Sequence, residues 1–192
     1  MDGFKKRTEM KKQTILQAAL TLFLKHGLQK VSIAMIANEA NVSQVTIYNY
    51  YESKDNLIHK VIHFYIDKTY QDYEALLESD LDFPDKINQI IFNKTEVSQE
   101  IHEELYSYLM KDLNDSNYLD RIYQEKGLPY FKKLIDEGKN AGYIDPALSE
   151  HAIMYFIQIL KDSMQKEAVY ESILPLTEDI MNIFFYGIMG KR

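Results

Sequence analysis

Apolar residues recur at helical spacing along almost the whole chain, and no stretch shows the strict alternation of a half-buried strand. Ile15, Ala18, Ala19, Leu22, Phe23 and His26 fall at i, i+3, i+4, i+7, i+8 and i+11, which predicts a first helix over Thr8–His26 stopped by Gly27. Ser32 is placed to cap a short helix over Ile33–Ala40, buried through Ile33, Ile36, Ala37 and Ala40. Ser43 is placed to cap a third helix through Tyr50, and Ser53 a long fourth one from Lys54 to about Ser79. Asp82-Phe83-Pro84 opens a fifth helix over Pro84–Val97, with Pro84 in the first turn, where a missing N–H costs nothing. Further helices are expected over Gln99–Asp112, Ser116–Gln124 and Leu128–Asn140, then a turn at Ala141–Pro146. Two more follow, over Ser149–Lys166 and Leu174–Met189. The fold class is all-α.

The final two helices carry apolar residues on more than one face. Ile153, Tyr155, Phe156, Ile157, Ile159, Leu160 and Met164 do so on one, and Ile180, Ile183, Phe184, Phe185 and Ile188 on the other. One face serves the chain's own core, and the surplus predicts a twofold homodimer through a four-helix contact.

The informative segment is Ser32–Tyr51, SIAMIANEANVSQVTIYNYY, in which two short helices meet at Asn41. A helix-turn-helix needs a small residue where its helices cross, a turn residue that tolerates positive φ, and an apolar anchor in the second helix. Ala37, Asn41 and Ile47 fill those roles, Asn being the commonest substitute for Gly in the left-handed conformation. The outward face of the third helix then reads Gln44, Val45, Thr46, Tyr48 and Asn49, with Lys54 just beyond and Tyr48-Asn49-Tyr50-Tyr51 as an exposed aromatic run. Gln and Asn can bond adenine in bidentate fashion and Val can contact a thymine methyl, whereas Thr, Tyr and Lys more often hold phosphates. Ser32 and the N–H groups that follow it are placed for another phosphate, and Ser43 and Tyr50 complete the candidate DNA-contacting set.

Charge divides along the same line. The net charge of −7 argues against nucleic acid as a partner until the chain is split. Residues 1–60 hold nine Lys or Arg against five Asp or Glu, a balance of +4, and residues 61–192 hold thirteen against twenty-four, a balance of −11. A basic head on an acidic body suits a protein that meets phosphate only with its head. Lys5, Lys6, Arg7, Lys11 and Lys12 are read as a basic arm able to reach the DNA backbone or minor groove. Cysteine is absent, the first residues lack the pattern of a signal peptide, and no apolar run reaches the roughly 18 residues of a membrane span. A cytoplasmic protein with no membrane partner is expected.

Val31–Ile62, VSIAMIANEANVSQVTIYNYYESKDNLIHKVI, closely resembles the DNA-binding head of the tetracycline-repressor (TetR) family. The likeness includes the alanine-rich first helix ending in Phe23-x-x-His26-Gly27, the Val-Ser-x-x-Thr-x-Tyr pattern at Val42–Tyr48, and the Tyr51-x-Ser53-Lys54 junction with Leu57. Asn41 stands where Gly is usual in that family, and Val45 where a small residue is frequent. The resemblance implies a three-helix DNA-binding head over residues 1–60 and a ligand-binding and dimerisation body over 61–192, joined through the fourth helix. It further implies a repressor that leaves a near-palindromic operator when a small-molecule effector fills a pocket walled by the fourth to eighth helices. Tyr65, Tyr106, Tyr108 and Tyr123 are candidates to line that pocket, and an acidic, Tyr-rich body suits an apolar or cationic effector.

Two other readings stay open: a DNA-binding protein controlled by a protein partner, and a helical binding protein or enzyme that does not touch DNA. No Gly-x-Ser-x-Gly, phosphate-binding glycine loop or dinucleotide fingerprint supports an enzyme or a cofactor. His59 and His63 are four apart, but Lys60, Val61 and Ile62 between them offer no glutamate, and no third ligand completes a metal site.

Overall fold

Short polar side chains set the helix boundaries. The Ser32, Ser43 and Ser53 hydroxyls accept the N–H groups of Met35, Thr46 and Asn56 at 3.2, 3.1 and 3.1 Å. Asp82 and Ser149 do the same for Asp85 and Ala152 at 3.0 and 3.1 Å. Each satisfies one of the N–H groups that a helix start leaves without an intrahelical partner. The computed structural model describes residues 2–108, 118–164 and 172–189, and all regular structure among them is helical. In order these are α1 (Asp2–His26), α2 (Ile33–Glu39), α3 (Gln44–Tyr51), α4 (Lys54–Leu77) and α5 (Phe83–Glu100). There follow α6 (103–108), α7 (Tyr118–Ile122), a π-helical turn (Tyr123–Gly127), α8 (Leu128–Asn140) and α9 (Glu150–Met164). A 3-10 turn (Leu174–Leu176) leads into α10 (Thr177–Met189).

Several boundaries depart from the sequence reading. The sixth helix begins at 103 rather than Gln99, the seventh passes into a π-helical turn at Tyr123, and the last begins as a 3-10 turn. Two more differ for a visible local cause. The first helix starts at Asp2 rather than Thr8, and Lys5, Lys6 and Arg7, good helix formers, carry it through the added turns despite Gly3. The fifth runs on to Glu100, because the Ser98 hydroxyl turns back to the Thr95 carbonyl at 2.7 Å instead of capping a new helix. The parts of the expected helices that fall on 109–117 and 165–171 lie outside the described residues. Among the described residues no helix is long and apolar enough to cross a membrane.

The chain forms two compact units, one of Met1–Thr69 with Glu100–Asp112, the other of Tyr70–Gln99 with Leu113–Arg192. The first thus includes a segment that the sequence reading assigns to the body. Its fully buried side chains include Ile15, Phe23, Val31, Ile36, Ile47, Leu57, Val61, Ile62 and Leu105. Gly27 ends α1 at φ +78°, where a Cβ would lie 2.6 Å from the His102 ring. Two residues on, the Gln29 N–H donates to the Glu104 carboxylate at 2.9 Å. His102 and Glu104 therefore close over the loop that carries the chain into α2.

The second unit is built on Phe83, Ile87, Ile90 and Ile91 of α5, Tyr130, Leu134 and Ile135 of α8, Ile144, and Ile153, Ile157, Phe184 and Phe185 of the last helices. The Phe83 and Tyr143 rings stack at 5.6 Å. Lys86 is buried, and its ammonium donates to the Leu77 carbonyl and the Glu137 carboxylate, both at 2.8 Å. Gly138 lets α8 approach: a Cβ there would stand 2.6 Å from Phe83 and 2.7 Å from Ile144. Gly138→Ala is therefore expected to lose about 1–3 kcal/mol through overpacking, despite the better helix propensity of Ala. Urea denaturation of both proteins measures it, and an equally or more stable variant would refute this view of the α8 contact.

Candidate nucleic-acid interface

The two short helices of the head are set by a single left-handed residue. Asn41 has φ 51°, and the Val42 N–H that follows it donates to the Ala37 carbonyl at 2.9 Å. On α3, Ile47 and Tyr51 are buried and lie four positions apart, so the helix turns one side to the core. Its other side carries Gln44, Val45, Tyr48 and Asn49, all exposed. Val45 is 66% and Tyr48 48% accessible, high values for side chains of this size. Thr46 is half-buried, its hydroxyl 2.9 Å from that of Ser43.

The structure corrects the exposed aromatic run. Tyr51 is buried and its hydroxyl donates to the Lys12 carbonyl of α1 at 3.1 Å, because a Tyr ring fills a core while its tip reaches one polar partner. Burial first, then the nearby Glu9 and Tyr50, push the Tyr51 pKa up to about 12. Tyr50 is half-buried, set edge-on to Tyr51 at 6.4 Å with the Lys12 ammonium 5.8 Å from its ring centre. Glu52, at φ 65°, ends α3 with its N–H on the Tyr48 carbonyl at 2.8 Å. Nothing in the local sequence marks Glu52 for that conformation.

The other candidates are placed as follows. Lys54 is half-buried and its ammonium donates to the Leu28 carbonyl at 2.6 Å, so it ties α4 to the loop before α2. The Ser32 hydroxyl is engaged in its cap. Lys5, Lys6, Arg7 and Lys11 are exposed, but they lie on the first turns of α1 and not on a loose arm. His59 meets the Tyr108 hydroxyl at 3.1 Å, and among the described residues no group of three His, Cys, Asp or Glu is placed to hold a metal ion.

Of the four body tyrosines, Tyr65, Tyr106 and Tyr108 belong to the first unit and Tyr123 to the second. Tyr106 and Tyr123 are buried, and Tyr65 and Tyr108 half-buried. A cleft of about 170 Å³ in the second unit is lined by α4, the π-helical turn and α8, with Tyr130 and none of those four tyrosines on its walls.

Residues 15–61 match the family model for bacterial regulatory proteins, tetR family. YvdT of Bacillus subtilis, an uncharacterised HTH-type transcriptional regulator, is 27% identical over 186 residues, spanning 95% of this chain and 86% of that protein. The HTH-type transcriptional repressor KstR2 of Mycolicibacterium smegmatis is 20% identical over 153 residues, spanning 77% of this chain and 74% of its own length. Among solved structures, the TetR transcription regulatory protein of Mycobacterium vanbaalenii superposes with a TM-score of 0.64 at 14% identity, covering 97% of this chain and 99% of that one.

The bond that orients α3 has its own signature. Tyr51→Phe removes a part-buried hydrogen bond and is expected to lose about 1 kcal/mol of stability at pH 7. Because the folded pKa is raised above that of the unfolded chain, the contribution of Tyr51 is complete below about pH 10 and is lost as the pH rises toward 12. The parent should therefore weaken more steeply than the variant over that window, as read by urea denaturation at pH 7 and pH 11. Parallel losses in both proteins would show that Tyr51 does not hold α3.

Proposed function

The chain belongs to the tetR family of bacterial regulatory proteins, and on that premise we propose a dimeric transcriptional repressor that reads a near-palindromic operator with α3 and leaves it when a small-molecule effector binds its body. The observation that carries this reading is the division of α3. It buries Ile47 and Tyr51 and offers Gln44, Val45, Tyr48 and Asn49 together on the opposite side.

In this reading Gln44 and Asn49 bond base edges and Val45 meets a thymine methyl. Thr46, Tyr48 and Tyr50 hold phosphates, with Ser32 and Ser43 at the starts of α2 and α3. Lys54 serves the interface by fixing the Leu28 loop and offers its remaining protons to the backbone. Lys5, Lys6 and Arg7 extend the phosphate contacts along α1.

Self-association is supported by the last two helices. Tyr155, Phe156 and Ile159 on α9 and Ile183 and Tyr186 on α10 are all exposed, from 45% for Phe156 to 72% for Ile183. Large apolar side chains gathered on adjacent elements are what a subunit contact buries. A twofold dimer then presents its two α3 helices to major grooves about 10 base pairs apart, or a multiple of that.

Footprinting on the DNA upstream of the chain's own gene should show two symmetric half-sites. Gln44→Ala should lose about 1–3 kcal/mol of operator affinity and relax preference at one base step, without changing binding to random DNA. A uniform loss on all sequences would sink the base-reading role. Ile183→Glu is expected to shift the protein from dimer to monomer in analytical ultracentrifugation and to abolish the paired footprint. A variant that stays dimeric would remove this face from the interface.

A further inference from the structure

We propose that Glu104 of α6 is a positioning residue for operator reading, acting with Lys54 on a single peptide plane in the loop before α2. This role rests on α3 being the DNA-contacting helix, and it falls to a carboxylate that phosphate would by itself repel.

The Lys54 ammonium donates to the Leu28 carbonyl at 2.6 Å, and the Glu104 carboxylate accepts the Gln29 N–H at 2.9 Å. That carbonyl and that N–H are the two ends of one peptide bond. A cation therefore sits on its negative end and an anion on its positive end. Both contacts are charge-assisted, and so stronger than bonds between neutral groups. The surroundings are shaped to hold the carboxylate. The backbone N–H of Glu104 donates to Nδ1 of His102 at 3.2 Å. Gly27, at φ +78°, leaves the space, since a Cβ there would stand 2.8 Å from the Glu104 carboxylate. Leu105, next in sequence, is fully buried in the same unit and anchors the segment.

Apolar packing alone leaves that plane free to turn. Leu28 and Val31 are buried, which fixes where their side chains go. A planar peptide can still rotate about its two flanking bonds with little movement of those side chains. The opposed charges remove that freedom. Beyond the plane lies Ser32, whose cap begins α2, and α2 seats α3 through the Val42 N–H on the Ala37 carbonyl at 2.9 Å. Without the clamp α2, and α3 with it, spreads over several orientations, of which only a fraction fits the operator. Apparent affinity falls by that fraction.

The sign of the effect separates positioning from plain electrostatics. Glu104 is an anion in the unit that meets phosphate, so removing its charge should by Coulomb attraction alone tighten DNA binding. Loss of the clamp weakens it.

Fluorescence anisotropy on the footprinted operator, with random DNA alongside, tests this. Glu104→Ala should weaken operator binding by about tenfold, and Glu104→Gln, which keeps a neutral oxygen acceptor, by about threefold. Random DNA, held by the exposed lysines of α1, should be bound no more weakly. The control Glu103→Gln, at the exposed neighbour, removes the same charge and should not weaken either association. Glu104→Ala combined with Lys54→Met should lose less than the product of the two single losses, because both act on one peptide. In nitrogen–proton NMR spectra the Gln29 amide proton should move upfield and exchange faster in Glu104→Ala. Operator binding by Glu104→Ala that equals or exceeds the parent's, equal weakening on random DNA, or an unmoved Gln29 resonance would overturn the role. Single losses that multiply in full would also overturn it. A parent that binds no operator removes the repressor reading and this role together, whereas a binding parent with unaffected Glu104 variants removes this role alone.

Discussion

Ile47 and Tyr51 lie four residues apart on α3, and burying both fixes the rotation of that helix about its own axis. A helix of eight residues has little surface to spend, so the choice of buried side is also the choice of presented side. Rotating α3 by one position would bring Tyr48 inward and lose Gln44 and Val45 from the exposed face. The Tyr51 hydroxyl on the Lys12 carbonyl adds direction to what burial alone leaves loose. Two further tethers act just upstream. Lys54 holds the Leu28 carbonyl and Glu104 holds the Gln29 N–H, so the loop before α2 is fixed from both sides. With Asn41 setting how α2 meets α3, the exposed face is determined by interactions none of which lies on it.

Much of that arrangement was legible because it is local. Ser32, Ser43, Ser53, Asp82 and Ser149 each cap a helix within three residues of themselves, and Asn41 adopts the left-handed turn that its side chain tolerates. The whole of α8, Leu128–Asn140, could be bounded from its pattern for the same reason. What escaped was either non-local or chemically ambiguous. The bond from Gln29 to Glu104 joins residues 75 apart, and no periodicity encodes it. The placement of Tyr51 was misread because a Tyr is at home on a surface or in a core, and only the reach of its hydroxyl to α1 decides. Lys54 was read as free for phosphate, although a lysine also caps a carbonyl within its own fold. The π-helical turn has no compositional signature, so the acidic cleft it borders could not be assembled from the sequence.

Lys5, Lys6 and Arg7 stand on the second turn of α1, behind Asp2 and Gly3, where the pull of the helix pole has largely decayed. α4 differs, because Glu74 and Glu78 lie at its negative pole and no basic residue stands in its last turn. Like charge at a helix pole raises its free energy by a few tenths of a kcal/mol to about 1 kcal/mol per residue. The two features answer to salt differently. Repulsion at the end of α4 is ordinary screened electrostatics, relieved by added ions over about 8–10 Å. Phosphate contacts by the exposed Lys5, Lys6 and Arg7 would release counterions condensed on the duplex and weaken steeply with ionic strength. Added salt therefore relieves strain within the fold of α4 while it loosens any hold of α1 on DNA, and the two effects have opposite signs.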